Sequence, residues 1–298
     1  MKILLAMDSS PASQAALEEV AARPWPANSS IEAISVIESS HLWTTSEIVL
    51  EAERCAQEVV RRAVERLRSA KLAASGAALS GDPKTVILDR ARTDAADLLV
   101  VGSHGDSAVA RLLIGSVASA VLRYAPCSVE VVRAKEQPTP GRTTAGGMKI
   151  LLATDGSEYS ESAARAITER PWPAGSEALV LSVVELTLPP GRALFEVPAF
   201  DAEFLENARA EAMKRAQDAS MRAREILSAT SLRVTDLTSV LAEPPRSVIL
   251  KEADEWGADL IVLGSHGRRG FEHFLMGSVS EYVATHSACT VEVVRKAG

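Results

Sequence analysis

The chain has little that would tie it to a membrane, a nucleic acid or an oxidising compartment. No run approaches the roughly 18 apolar residues that a membrane span needs. The apolar start Ile3-Leu4-Leu5-Ala6-Met7 is broken by Asp8 before it can act as a signal-peptide core. A cytoplasmic protein with no membrane contact is the expectation. Basic residues are not in excess: 32 Lys and Arg stand against 39 Asp and Glu, a formal net charge of −7. Bulk composition therefore offers nothing to neutralise a phosphate backbone, and no nucleic-acid partner is expected. Only 3 cysteines occur, and Cys127 and Cys289 stand at matched places just before β-like runs. That pattern suits small buried hydrophobes rather than disulfides or metal ligands. Motifs of dedicated catalysis are missing too. No Gly-x4-Gly-Lys-Ser/Thr loop supplies a lysine for a γ-phosphate. A Gly-x-Ser-x-Gly nucleophile elbow and a metal-ligand cluster are equally lacking.

What is present is present twice. Gly102-Ser103-His104-Gly105, nine residues and Gly115-Ser116-Val117 recur as Gly264-Ser265-His266-Gly267, nine residues and Gly277-Ser278-Val279. Asp8 and Asp155 are 147 positions apart, as are Val36 and Val183 and the identical tetrapeptides Arg23-Pro24-Trp25-Pro26 and Arg170-Pro171-Trp172-Pro173. Gly102 to Gly264, Cys127 to Cys289 and Val131 to Val293 are each separated by 162, so the second copy carries 15 extra residues between Glu185 and Pro245. They centre on Leu188-Pro189-Pro190-Gly191 and read either as a lid or as an ordinary surface excursion. A length of 298 residues agrees with two homologous domains of roughly 150 each. The domains are expected at 1–134 and 148–298, joined by a linker at 135–147 that is rich in Pro, Gly and Thr.

Each half alternates short apolar runs with helical patterns, which predicts α/β units around a parallel sheet. Strands are expected at 2–7, 31–37, 73–79, 98–101 and 128–133, and in the second half at 149–154, 178–184, 232–241, 260–264 and 290–295. Between them, Ile48, Ala52, Cys55, Val59, Ala63 and Leu67 recur at helical spacing, and Asp82-Pro83 reads as a helix cap followed by Pro at the first helical position. Further helices are expected at 12–22, 116–124, 160–170, 201–227, 245–256 and 278–285.

If the sheet is doubly wound, three features of each half converge beyond the carboxyl ends of the strands, where open α/β sheets hold ligands. They are the Asp after the first strand, the Val near the end of the second and the glycine loop after the fourth. Glycines let a backbone approach an anion closely, and the helix opened by Gly-Ser-Val points free N–H groups and a positive dipole end at it. The acidic residue suits a ribose hydroxyl pair. It equally suits plain helix capping, the glycines equally suit tight turns, and Ser116 and Ser278 read as N-caps.

At these residues the chain resembles the universal stress protein family in its tandem two-domain form. The resemblance rests on Met7-Asp8-Ser9-Ser10, Thr154-Asp155-Gly156-Ser157 and both Gly-x2-Gly-x9-Gly-Ser loops. It implies five-stranded parallel sheets of order 3-2-1-4-5 with helices on both faces, and, in the nucleotide-binding branch, ATP with Mg2+. Carried over by position, it assigns Asp8 and Asp155 to the ribose, and Val36 and Val183 to backbone contact with adenine. Gly102, Gly105, Gly115, Ser116 and Val117 would line the phosphates in the first half, and Gly264, Gly267, Gly277, Ser278 and Val279 in the second. Arg268 and Arg269 stand in the second loop where the first has Asp106 and Ser107, while Arg111 stands opposite His273. Triphosphate is therefore expected to prefer the second half. His104 and His266 either orient a water or bond the backbone.

The expectation is an ATP-binding stress-response module without dedicated catalysis, offering a nucleotide-dependent surface to a protein partner. The alternatives are a nucleotide-independent tandem scaffold with vestigial sites, a very slow ATPase, or a catalytic or flavin-binding relative of the same superfold. The near-identical fifth strands lie at sheet edges in the family's order. By resemblance they join the halves into an internal pseudo-dimer, with a homodimer of chains as a further possibility.

Overall fold

Apolar runs fold as strands and amphipathic stretches as helices, in alternation. The computed structural model describes residues 1–38, 46–105, 114–134, 147–185, 202–241, 243–268 and 276–296. The first half runs β1 (Lys2–Met7), α1 (Pro11–Ala22), β2 (Ser30–Ile37), α2 (Ser46–Ser69), β3 (Ala73–Ser80), α3 (Pro83–Thr93), β4 (Leu98–Gly102), α4 (Ser116–Tyr124) and β5 (Ser128–Val132). The second runs β6 (Lys149–Ala153), α5 (Glu158–Thr168), β7 (Glu177–Glu185), α6 (Ala202–Leu227), β8 (Arg233–Leu241), α7 (Pro245–Trp256), β9 (Leu260–Gly264), α8 (Ser278–His286) and β10 (Thr290–Val294). The expected linker, apart from Gly147, and the Leu188-Pro189-Pro190-Gly191 stretch lie outside the described residues.

Within each half the strands pair in parallel in the order 3-2-1-4-5, and β5 pairs antiparallel with β10, giving one sheet of order β3-β2-β1-β4-β5-β10-β9-β6-β7-β8. The expected join through the fifth strands is thus seen within one chain. β4 and β9 are buried along their whole lengths, which explains why both read as unbroken apolar runs rather than alternating ones. Helix starts follow cap chemistry. Ser10 accepts the Ser13 N–H at 3.1 Å, Asp82 the Thr85 N–H at 2.9 Å ahead of Pro83, and Ser157 the Ser160 N–H at 3.3 Å.

The two faces of the sheet are built differently. On one, a continuous apolar layer runs across both halves beneath α3, α4, α7 and α8 and includes Val121, Val129, Val131, Val283, Val291 and Val293. On the other, separate cores lie under α1 with α2 and under α5 with α6. Between those two cores stands a buried ionic cluster. Arg23 pairs with Glu130 and Arg170 with Glu292, and all four residues are buried. Trp25 covers the Arg23 guanidinium at 5.1 Å and Trp172 that of Arg170 at 5.7 Å, so the repeated Arg-Pro-Trp-Pro segments serve the seam.

Candidate functional site

The sequence-predicted residues gather at the carboxyl edge of the sheet in each half. Asp8 follows β1 directly, and Val36 stands one step beyond Ser35, the register partner of Met7, so the two sit side by side. Asp8 is exposed and Val36 half-buried. In the second half Asp155 follows β6 and is partly exposed, while Val183 lies buried near the end of β7.

Both aspartates anchor the turn they begin. Asp8 Oδ1 accepts the Ser10 N–H at 3.0 Å and the Ser10 hydroxyl at 2.5 Å, and Asp155 Oδ1 accepts the Ser157 N–H at 3.0 Å. The capping alternative is therefore real. It leaves each carboxylate with further acceptor positions toward solvent. Asp155 Oδ2 spends one of these on the Arg268 backbone N–H at 2.8 Å, which pins the second glycine loop onto the aspartate. The Arg268 residue itself is exposed.

The glycines divide by role. A Cβ at Gly102 would meet the α1 backbone at Ala12 C and Ser13 N, both at 2.7 Å, and one at Gly264 would meet Tyr159 C at 2.6 Å. Helix-on-strand packing alone makes these two positions glycine. A Cβ at Gly105 would instead stand 2.9 Å from Asp8 Oδ2, and one at Gly267 2.8 Å from Asp155 Oδ2. Those two let the loop lie against the carboxylate. Gly115 and Gly277 fold back on the same loops, donating their N–H groups to Ser103 O at 2.7 Å and Ser265 O at 2.8 Å.

α4 and α8 correct one sequence expectation. Gly115 and Gly277 are the N-caps, with extended backbone and no side-chain cap bond, and Ser116 and Ser278 are the first helical residues. The first-turn N–H groups of both helices thus lack the side-chain acceptor that closes α1, α3 and α5. Ser116, Val117, Ser278 and Val279 present that turn at the loop's end. An open helix N-terminus beside a glycine cradle is where an anion binds best.

Several contacts were not readable in the sequence. The Ser10 hydroxyl also lies 3.0 Å from His104 O, its one proton shared between that carbonyl and Asp8 Oδ1, and so ties the α1 cap to the first loop. Ser103 Oγ bonds His104 Nδ1 at 3.0 Å and Ser265 Oγ bonds His266 Nδ1 at 3.1 Å, so the preceding serine fixes each ring. Burial, with Arg133 nearby, holds the His104 imidazole below its usual range. Tyr159 lies 5.0 Å from the His266 ring, where the first half has Ala12. Asp106, Ser107, Arg111, Arg269 and His273, on which the expected charge asymmetry partly rests, lie outside the described residues. Among the described residues, no group of three His, Cys, Asp or Glu can hold a metal ion, and no helix is long and apolar enough to cross a membrane.

Comparison with known proteins bears on the family and the fold. The sequence profile of the universal stress protein family matches residues 1–133 and again 148–295. A universal stress protein of Mycolicibacterium smegmatis is 29% identical over 306 residues, spanning 98% of this chain and 96% of that one. A universal stress protein of Mycobacterium tuberculosis is 31% identical over 208 residues, 67% of this chain but 62% of the relative, so the match spans less than two thirds of that protein. The crystal structure of a universal stress protein from Archaeoglobus fulgidus shares the fold across 99% of this chain and 96% of that one, with a TM-score of 0.65 at 20% identity.

Proposed function

The chain belongs to the universal stress protein family, and from that premise we propose that it is an adenine-nucleotide-binding stress-response module with one site per half and no dedicated catalytic group. The observation that carries this reading is the pairing, in both halves, of an uncapped helix N-terminus with a glycine that lies against an aspartate carboxylate. A side chain at Gly105 or Gly267 would fill that cradle.

In this reading Asp8 and Asp155 accept from the ribose hydroxyls, and the backbones at Val36 and Val183 read the base. The N–H groups of Ser116 and Val117 and of Ser278 and Val279 face the phosphates, since those of Gly115 and Gly277 are held by Ser103 O and Ser265 O. In this reading the nucleotide is ATP, and Mg2+ would come with the phosphates rather than bind in a protein cage, since such ions keep most of their waters. Arg268 adds positive charge at the second loop and favours triphosphate there. The ligand orders the loops and so changes the surface offered to a protein partner. The cytoplasm is the compartment this role requires.

The test is calorimetric titration of the full chain with Mg·ATP, alongside chromatography of any nucleotide released on denaturation. Binding of about micromolar affinity, roughly −8 kcal/mol, is expected. Gly277→Val should lower total affinity more than Gly115→Val. Absence of heat at millimolar nucleotide would overturn the proposal, and turnover above roughly 1 s⁻¹ would overturn its non-catalytic part.

A further inference from the structure

Helices α4 and α8 begin at the two proposed phosphate turns and end at the seam, and each is closed there by a side chain of the other half. Arg295, just after β10, donates Nη2 to Leu122 O and Arg123 O at 2.9 Å each, the last-turn carbonyls of α4. Arg133, just after β5, donates Nη2 to Ala284 O at 3.1 Å and to Thr285 O at 2.5 Å, the last-turn carbonyls of α8. Arg133 is buried, so this is no loose surface contact.

Both arginines stand one residue from a carbonyl that holds a glycine loop. Val132 O accepts the Ser103 N–H at 2.8 Å, and Val294 O accepts the Ser265 N–H at 2.8 Å. From the first loop the route therefore runs through Val132 and Arg133 to the carboxyl end of α8, whose other end is the Gly277 turn of the second site. From the second loop it runs through Val294 and Arg295 to α4 and the Gly115 turn of the first. The Arg123–Glu281 pair ties α4 and α8 side by side where the routes cross. The Arg295 N–H also bonds Ser128 Oγ at 3.2 Å, so the same backbone reaches β5.

We propose that the two nucleotide sites are positively coupled, each one's occupancy raising the affinity of the other through the crossed Arg133 and Arg295 caps. This rests on the nucleotide reading above. An anion at the amino end of a short helix and a cation at its carboxyl end favour the same aligned set of peptide dipoles. Ligand held at the first site also steadies the existing Ser103 to Val132 bond, hence the start of Arg133, and hence the helix that presents the second site. The two-fold relation of the contacts makes the effect reciprocal, as linkage requires.

The experiment uses the full chain and Mg·ATP in calorimetry. Asp155→Ala disables the second site while leaving Val132, Arg133, Val294 and Arg295 unaltered, and the remaining isotherm reports the first. Coupling predicts that Asp155→Ala weakens the first site by about fivefold or more relative to wild type, a typical allosteric factor. In an Arg133→Ala/Arg295→Ala background the same substitution should change the first site by less than about twofold. Hydrogen exchange gives a second readout. With Asp8→Ala, Mg·ATP at the second site should slow exchange in the last turn of α4, and Arg295→Ala should abolish that protection. If the double alanine chain fails to fold, Arg133→Met/Arg295→Met replaces it, because methionine keeps an apolar stem of similar length but has no donor for the two carbonyls. Sites that bind independently in wild type, or coupling undiminished in the arginine variants, overturn the inference while leaving nucleotide binding intact. A wild-type chain that binds no nucleotide overturns the nucleotide reading itself and the coupling with it.

Discussion

Glu130 and Glu292 face each other as register partners across the antiparallel β5·β10 join, both buried, each pairing with an arginine from its own half. Directly opposed like charges destabilise a strand pair, and here the penalty is met by Arg23 and Arg170 rather than by solvent. The second oxygen of each carboxylate, Oε2, has no hydrogen-bond partner among the described residues. Glu19 on α1 adds a third carboxylate, 3.6 Å from Arg23, and accepts the Thr290 hydroxyl at 2.8 Å.

A pH dependence of stability follows from this cluster. Burial pushes the Glu130 carboxyl up to about 7, with Glu19 and Glu292 reinforcing the shift and Arg23 and Arg170 opposing it. A carboxyl raised in the folded state holds its proton more tightly than in the unfolded chain. Its contribution is therefore complete below the ordinary value of 4.5 and is lost as pH rises through about 7. Urea midpoints measured from pH 5 to pH 8 should fall with rising pH. Glu130→Gln, fixed in the neutral form, should flatten that fall, and an unchanged slope would show that another group controls it.

Removing one partner of a buried pair leaves the other uncompensated. Arg23→Ala and Arg170→Ala are each expected to destabilise the chain by about 3–5 kcal/mol, measured by denaturant unfolding. Lysine should rescue little, because the guanidinium is also stacked on Trp25 or Trp172. A cost under about 1 kcal/mol would mean that the seam does not depend on these pairs.

The strands and helices were legible to within about two residues because apolar runs, Asp82-Pro83 and the long-helix spacing state them locally. The convergence of Asp8, Val36 and the glycine loop was legible as well, since it follows from strand order. The seam was not. Ser128-Val129-Glu130-Val131-Val132-Arg133 reads as an edge strand that invites pairing, and only the fold shows that Arg23, 107 positions away, lies against Glu130. Its one trace was the doubled Arg-Pro-Trp-Pro, a landmark without an assigned role. The N-cap shifted from Ser116 to Gly115 for a local reason: the glycine already has extended cap geometry at φ −64°, ψ 160°, and the turn closes through its own N–H.

Gly102 and Gly105 should separate stability from binding. Gly102→Ala places a methyl 2.7 Å from rigid α1 backbone, an overpacking expected to cost about 1–3 kcal/mol in urea unfolding. Gly105→Ala meets a side-chain oxygen, Asp8 Oδ2 at 2.9 Å, which yields more easily but moves the proposed ribose acceptor. Its stability should stay near wild type while Mg·ATP affinity at the first site drops. Equal losses of stability in both variants would count against this division.

Ser10 and Ser157 occupy the same place in the repeat but carry different loads. Ser10 caps α1, donates to Asp8 Oδ1 and reaches His104 O at 3.0 Å, whereas among the described residues the Ser157 hydroxyl accepts only the Ser160 N–H at 3.3 Å. Loss of an N-cap alone costs about 1 kcal/mol, and Ser157→Ala is expected to fall near that value. Ser10→Ala removes the cap and the bond to the first glycine loop together, leaving a carbonyl short of a donor, for roughly 1–3 kcal/mol more. It should also speed amide exchange at Ser103 to Gly105, which Ser157→Ala leaves unchanged. Identical unfolding midpoints for the two variants would show that the Ser10 to His104 contact contributes nothing to holding that loop.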